Sequence, residues 1–192
     1  MRLRCALAIA IAAALGACST APTSSPAPST VPPPVAAPEV PMARGATVTL
    51  APASGSLVSG KLSATPMANG VHLTGEIGGL APNSTHAIHI HEKGDCSAAD
   101  ATSAGGHFNP AQQPHGRVGA GPHHGGDMDN IVADANGVAH VDVHALGVSL
   151  GGGAGNIGGR AVVVHGAPDD YATQPAGNAG PRVACGVVTL VP

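Results

Sequence analysis

A chain of 192 residues, 43% of them hydrophobic, is long enough for one medium domain with appendages. Eight Lys plus Arg against eleven Asp plus Glu give a net charge of −3, so the chain offers no basic surface and nucleic acid is excluded as a partner. The 28 glycines and 18 prolines exclude a helix-rich fold, and eleven histidines, more than Lys and Arg combined, are a first pointer to metal chemistry.

The chain opens with Arg2 and Arg4, followed by an apolar run from Ala6 to Leu15. That run has the length of a signal-peptide core and is too short to span a bilayer. It ends in Leu15-Gly16-Ala17-Cys18, which resembles the lipobox of bacterial lipoproteins, in which the cysteine becomes the lipidated first residue. The expectation is a signal peptide over residues 1–17, a lipid on Cys18 with a membrane as partner, and a place in the bacterial cell envelope, facing the periplasm or the exterior. Several acyl chains on one residue hold a protein firmly, since each buried CH₂ adds about 0.8 kcal/mol. Residues 18–42 are mostly Ala, Pro, Ser, Thr and Val, which cannot bury a core and favour extended backbone, so they read as a tether. Loss of Arg2 and Arg4 leaves six basic against eleven acidic residues, a net charge of −5. The folded domain is expected over residues 43–192.

Within it, short strand-like runs alternate with turn signals. The expected strands are Ala46–Leu50, Ser56–Leu62, Val71–Ile77, His86–His91, Asn130–Ala133, Ala139–Val143, Arg160–Val164 and Val183–Leu190. Asn69-Gly70 and Asn136-Gly137 sit between such runs and read as hairpin turns. No apolar period of 3.6 residues persists over a useful length. Eight short antiparallel strands predict an all-β, flattened barrel or sandwich. Residues 92–129 and 166–182 are long, polar and glycine-rich, and loops of that length in a compact domain are usually functional or disordered.

Candidate ligands concentrate in and beside those loops. In the strand HAIHIH, Ile88 and Ile90 share one face, with His86 on the same parity, and His89 and His91 share the other, about 7 Å apart. Such a pair can hold an ion, but an exposed polar face on an amphipathic strand explains it equally well. The loop then supplies His107 in GGHFNP, His115 eight residues later, and His124 and Asp127 in HHGGD. Three imidazoles and a carboxylate can close a tetrahedral set for Zn²⁺. The run Val162-Val163-Val164-His165 ends a buried-looking strand with one more histidine. Six histidines and an aspartate are too many ligands for one ion.

The strings HIHEKGDC, GGHFNP, HGGD, VVVHG and GNAGPRVACG, in this order and spacing, resemble the copper–zinc superoxide dismutase family over about residues 45–192. The resemblance implies a Greek-key arrangement of the eight strands, copper on His89, His91, His107 and His165, and zinc on His107, His115, His124 and Asp127, with His107 bridging. It implies that Asp169 accepts N–H bonds from one ligand of each ion, that Cys96 and Cys185 form a disulfide, and that Arg182 attracts the anionic substrate near copper. The implied reaction converts superoxide to dioxygen and hydrogen peroxide by alternating reduction and oxidation of the copper, with His107 gaining and returning a proton and zinc taking no part in the redox change. Imidazole suits copper and zinc, in agreement with these sets.

Of the remaining histidines, His86 matches a structural, hydrogen-bonded histidine of the family. Spacing to Asp127 favours His124 over His123 as a ligand, leaving His123 at the surface or beside the site. His72, His140 and His144 carry no motif and read as ordinary strand or loop residues. The segment before Arg182 lacks the charged cluster of many eukaryotic members, so steering falls to Arg182, with Lys93 either a contributor or an ordinary exposed lysine. The rival reading is a non-enzymatic copper or zinc carrier of the same fold; retention of four copper ligands and Arg182, without a CxxC transfer motif, speaks against it. The sequence is compatible with a monomer or a homodimer.

Overall fold

The computed structural model describes residues 43–192. The expected leader, the lipidated Cys18 and the tether lie outside the described residues. Among the described residues nine strands form: β1 (Gly45–Pro52), β2 (Ser59–Met67), β3 (Gly70–Gly78), β4 (Thr85–His86), β5 (Ile88–His91), β6 (Ile131–Val132), β7 (Ala139–Leu146), β8 (Ala161–His165) and β9 (Arg182–Val191). All ladders are antiparallel, in a seven-stranded sheet of order β5-β8-β9-β1-β2-β3-β7 and a two-stranded piece, β4-β6. A bridge between Ala133 and Ala139 ties β6 to β7, and β4 runs on into β5. The small sheet therefore spans the gap between the two edge strands of the large one. The non-consecutive neighbours β1–β9, β3–β7 and β5–β8 are the crossovers of a Greek key.

The expected single strand His86–His91 is thus two. At Ala87 the N–H donates to the Ala167 carbonyl and the carbonyl accepts from His165, so pairing passes from β6 to β8 at that residue. The expected strand Ser56–Leu62 begins later, at Ser59, with Leu57 left 83% exposed, and runs on to Met67. It passes through Pro66, which lies beyond the last β1 partner, where a missing N–H costs no ladder bond. The β2–β3 turn falls on Ala68 and Asn69, with Gly70 already paired to Met67. The β6–β7 turn holds as expected: Asp134 Oδ1 accepts the N–H groups of Asn136 and Val138, and Gly137 takes φ 77°.

The core is aliphatic. It is built from alternate residues such as Val48 and Leu50, Val71 and Leu73, Ile88 and Ile90, and Val141 and Val143. Strand β8 is buried on both faces, as its unbroken apolar run suggests. Val162 and Val164 join the main core, while Val163 packs with Ala53, Ala101, Ala104 and Cys185 under the long loop. Cys96 and Cys185 are disulfide-bonded with a Cα–Cα distance of 5.8 Å, which staples that loop to β9.

Candidate metal centre

Two devices build the site from these strands. The first is an extra layer of backbone pairing on the free edge of β5. Phe108 donates to the Ile90 carbonyl, Ile90 to Gly126, and Gly126 to Phe108, each at 2.8 Å. Two loop segments are thereby laid against the strand that carries His89 and His91, with His107 bridged directly to His91. Gly126 has to be glycine, because a Cβ there would collide with the Ile90 carbonyl. The second device is a β-bulge. The β8–β9 register shifts between Val164 and His165, so His165 lies opposite Arg182. Bulges re-aim side chains, and this one brings a ligand and the arginine together.

The result is two adjoining groups of buried donors. His89, His91, His107 and His165 bring one nitrogen each within 4.8 Å of one another, and so do the donor atoms of His107, His115, His124 and Asp127. His107 belongs to both. His89 is 0% exposed and His91 1%. This excludes the exposed polar face that the alternation alone left open.

The surroundings fix which nitrogen of each ring faces inward. His91 Nδ1 donates to the Gly105 carbonyl at 2.9 Å, and His165 Nδ1 lies 3.4 Å from the Gly180 carbonyl, which leaves both Nε2 atoms free and 3.4 Å apart. His89 Nε2 donates to Asp169 Oδ2 at 2.8 Å, leaving Nδ1 inward. His107 Nδ1 lies 2.8 Å from Asp127 Oδ1, leaving Nε2 inward. On the other side, Asp127 Oδ1 has the Nδ1 atoms of His107, His115 and His124 at 2.8, 3.0 and 3.4 Å. A tetrahedral site with bonds of 2.0–2.1 Å has edges of about 3.3 Å, close to these spacings.

The residues fit a pair of metal ions. His89 Nδ1, His107 Nε2 and His124 Nδ1 are buried with no hydrogen-bond partner. Unsatisfied buried polar atoms are costly, and all three point into the two groups. Two buried carboxylates, Asp127 and Asp169, add negative charge that cations offset.

Protonation follows the same geometry. Burial, helped by neighbouring histidines, lowers His91 to about 2, His165 to about 3 and His107 to about 4, in the last case against the pull of Asp127. Burial also opposes a charge on His115, but hydrogen bonds to Asp127 and Asp169 outweigh it and raise the ring to about 9. Burial works against an ionised Asp127, yet hydrogen bonds from the His107 and His115 rings and from the His124 backbone N–H hold it far below the usual carboxylate range. Asp169 is depressed in the same way: burial is overcome by His115 and His89.

Asp169 links the groups, with His115 Nε2 on Oδ1 at 2.9 Å and His89 Nε2 on Oδ2 at 2.8 Å. Gly177, at φ 66°, packs against that carboxylate where any Cβ would collide with it. Arg182 is half-buried and oriented by two bonds of 2.6 Å, Nη1 to the Ala101 carbonyl and Nη2 to Gly105. With His165 it lines a cleft open to solvent, walled by Gln174, Ala179 and Gly180. His123 stays out of both groups, its Nδ1 bound to the His124 carbonyl at 2.6 Å, while His124 lies in the group with Asp127. His86 is buried and braces the site, with Nδ1 on the His165 carbonyl at 2.7 Å. Lys93 is exposed.

Three supporting residues carry no sequence motif. Asn130 accepts the Asp169 N–H and donates to its carbonyl, holding that residue like a strand partner. Gln174 does the same for His115. Arg160 lies 3.7 Å over the Phe108 ring and donates to the Glu92 carbonyl, tying β8 to the long loop.

An antiparallel β-barrel with two buried, imidazole-rich groups joined by one shared ring defines a two-metal protein. Residues 58–188 match the family profile of copper/zinc superoxide dismutase (SODC), and the chain belongs to that family. It is 48% identical over 124 residues to superoxide dismutase (Cu-Zn) 1 of Aquifex aeolicus (strain VF5), covering 62% of this chain and 73% of the relative. It is 43% identical over 136 residues to superoxide dismutase (Cu-Zn) of Caulobacter vibrioides, covering 68% and 78%. Among solved structures it resembles the clock protein EA4, with a TM-score of 0.69 and 38% identity over 79% of this chain and 97% of that one. It also resembles a SOD-like protein from Bacillus subtilis, with a TM-score of 0.66 and 36% identity over 73% and 96%. The chain is accordingly an oxidoreductase acting on superoxide, with copper and zinc as its cofactors.

Proposed function

We propose that His89, His91, His107 and His165 hold the copper of this enzyme, that His107, His115, His124 and Asp127 hold its zinc, and that superoxide is dismutated at the all-imidazole group. The carrying observation is that His107 has one nitrogen in each group. The group containing the carboxylate suits zinc, and the group of four imidazoles suits copper. Copper, when bound, supplies the alternating one-electron oxidation and reduction that turns two superoxide anions and two protons into dioxygen and hydrogen peroxide.

The chain's own residues do the rest. Arg182 presents a fixed positive charge at the cleft beside His165, inside a domain of net negative charge, and so focuses a small anion there. Burial of the ligand rings on their other sides leaves the cleft beside His165 and Arg182 as the approach for the anion. His107, whose Nδ1 is turned to the zinc group, holds a proton at Nε2 between the half-reactions, and burial, which favours the neutral ring, helps release that proton to the product. Asp169 keeps a proton on the outer nitrogen of His89 and of His115, so His89 offers an inward lone pair and His115 offers one once a cation displaces its inner proton.

The test is superoxide dismutation by the copper- and zinc-loaded protein beside His165→Ala and Arg182→Ala. The first variant should be inactive, and the second slower and less sensitive to salt. Tight binding of both metals without activity in the parent protein would move the reading to a metal carrier. We propose also that a lipid on Cys18 holds the enzyme in the bacterial cell envelope, a reading supported by Leu15-Gly16-Ala17-Cys18 and the tether. Cys18→Ser should then leave the protein in the soluble fraction.

A further inference from the structure

Seven of the eleven histidines, His86 among them, serve the metal centre. Three of the other four share one patch elsewhere. Strands β3 and β7 present His72, Thr74 and Glu76 beside His144, Asp142 and His140 on their outer face, in direct register. The rings of His72 and His144 stack at 4.5 Å between centroids with 13° between planes. His72 Nε2 donates to Asp142 Oδ1 at 2.6 Å, one step diagonally across the ladder. These three side chains can bring one donor atom each within 4.8 Å of one another.

We propose that His72, Asp142 and His144 form a separate surface site for a borderline divalent d-block cation, Zn²⁺ or Cu²⁺. Two imidazoles and one carboxylate make up the donor set of open zinc sites, in which water takes the remaining position. One carboxylate among two nitrogens does not suit Ca²⁺ or Mg²⁺, which require mostly oxygen. The two backbones fix the spacing, because directly opposed residues on an antiparallel pair keep their Cβ atoms about 4.5–5.5 Å apart. Access is open: β7 is the edge of its sheet, and the His72 and Asp142 side chains are 32% and 75% exposed. Glu76, 3.2 Å from His140 on the same face, adds a second carboxylate to the approach, while Lys61 stands opposite Glu76 on β2. The site is on the outside of the barrel, so it fills and empties without disturbing the buried ligands.

Full-length protein whose buried groups already hold copper and zinc is titrated with Zn²⁺ alone, by calorimetry and by equilibrium dialysis. One further equivalent per chain should bind. His144→Ala and Asp142→Asn should each weaken it by about tenfold or more, with buried copper and zinc content and dismutation unchanged. Glu76→Gln, on the same face but outside the set of three, should change the affinity by less than about threefold. The absence of a further equivalent in the parent protein overturns the proposal. So does an equivalent that survives both variants at full strength, or one that Glu76→Gln weakens as much as they do.

Discussion

Replacing Asp169 by Asn should damage the copper group and spare the zinc group. Asp169 accepts three N–H bonds: His115 Nε2 and the Tyr171 backbone on Oδ1, and His89 Nε2 on Oδ2. An amide accepts at its oxygen only. With the oxygen in the Oδ1 position it keeps two of the three bonds, and with the opposite orientation it keeps one. The difference of one net hydrogen bond, about 1 kcal/mol, favours the first orientation. The new NH₂ group then faces the His89 Nε2–H, donor against donor. His89 relieves this by moving its proton to Nδ1, the atom it offers to the copper group. Disturbing such a supporting hydrogen bond costs about 10–100-fold in metal affinity, or about 1.4–2.7 kcal/mol. The zinc group keeps the His115 bond, and removal of the negative charge makes the His115 proton easier for zinc to displace. Chelator competition on the reconstituted variant, run separately for each metal, reads both affinities. Unchanged copper affinity, or zinc affinity falling as far as copper, would refute this account of Asp169.

Three other outcomes follow from the same structure. Gly177→Ala places a Cβ against Asp169 at a backbone angle that costs a non-glycine residue about 1–2 kcal/mol, so both metals should be held less tightly; normal retention of both would show that Asp169 does not need this cradle. Cys96→Ala with Cys185→Ala opens a loop of sequence separation 89 and should lower the stability of the metal-free protein by about 4–5 kcal/mol in chemical denaturation, and a loss below about 1 kcal/mol would contradict it. The metal-free protein should lose stability as pH falls below about 6.5. His91, His107 and His165 titrate at about 2, 4 and 3 when folded, so between those values and 6.5 the unfolded chain binds more protons and each contributes up to about 1.4 kcal/mol per pH unit. His115, at about 9, has the opposite sign: its contribution is complete below about 6.5 and fades as pH rises toward 9. Denaturation midpoints between pH 6.5 and 4.5 check this, and a flat or rising trend on acidification would count against neutral, buried rings.

What the sequence made legible is what repeats locally or matches a motif. Strict alternation placed His89 and His91 on one face, and the unbroken run Val162–Val164 marked a strand covered on both sides. The crossing at Ala87 was hidden because HAIHIH alternates without interruption; the break comes from partners at Ala167 and His165, about 80 residues away in the chain. Order and spacing within the motifs selected His124 over His123. Asn130 and Gln174 were not legible, since each acts by imitating a backbone partner and any polar residue in a loop looks the same in sequence. The bulge between Val164 and His165 leaves no mark in the sequence, yet it sets Arg182 opposite a candidate copper ligand. The His72–His144 stack required the β3–β7 register, which no local pattern encodes.

The central claim is that two different ions share His107. Anomalous diffraction from crystals of the reconstituted protein, collected at the copper and zinc absorption edges, tests it most directly. The account predicts copper among His89, His91, His107 and His165, and zinc among His107, His115, His124 and Asp127, one of each per chain. A single ion in the whole centre, or both metals mixed over the two positions, would contradict it.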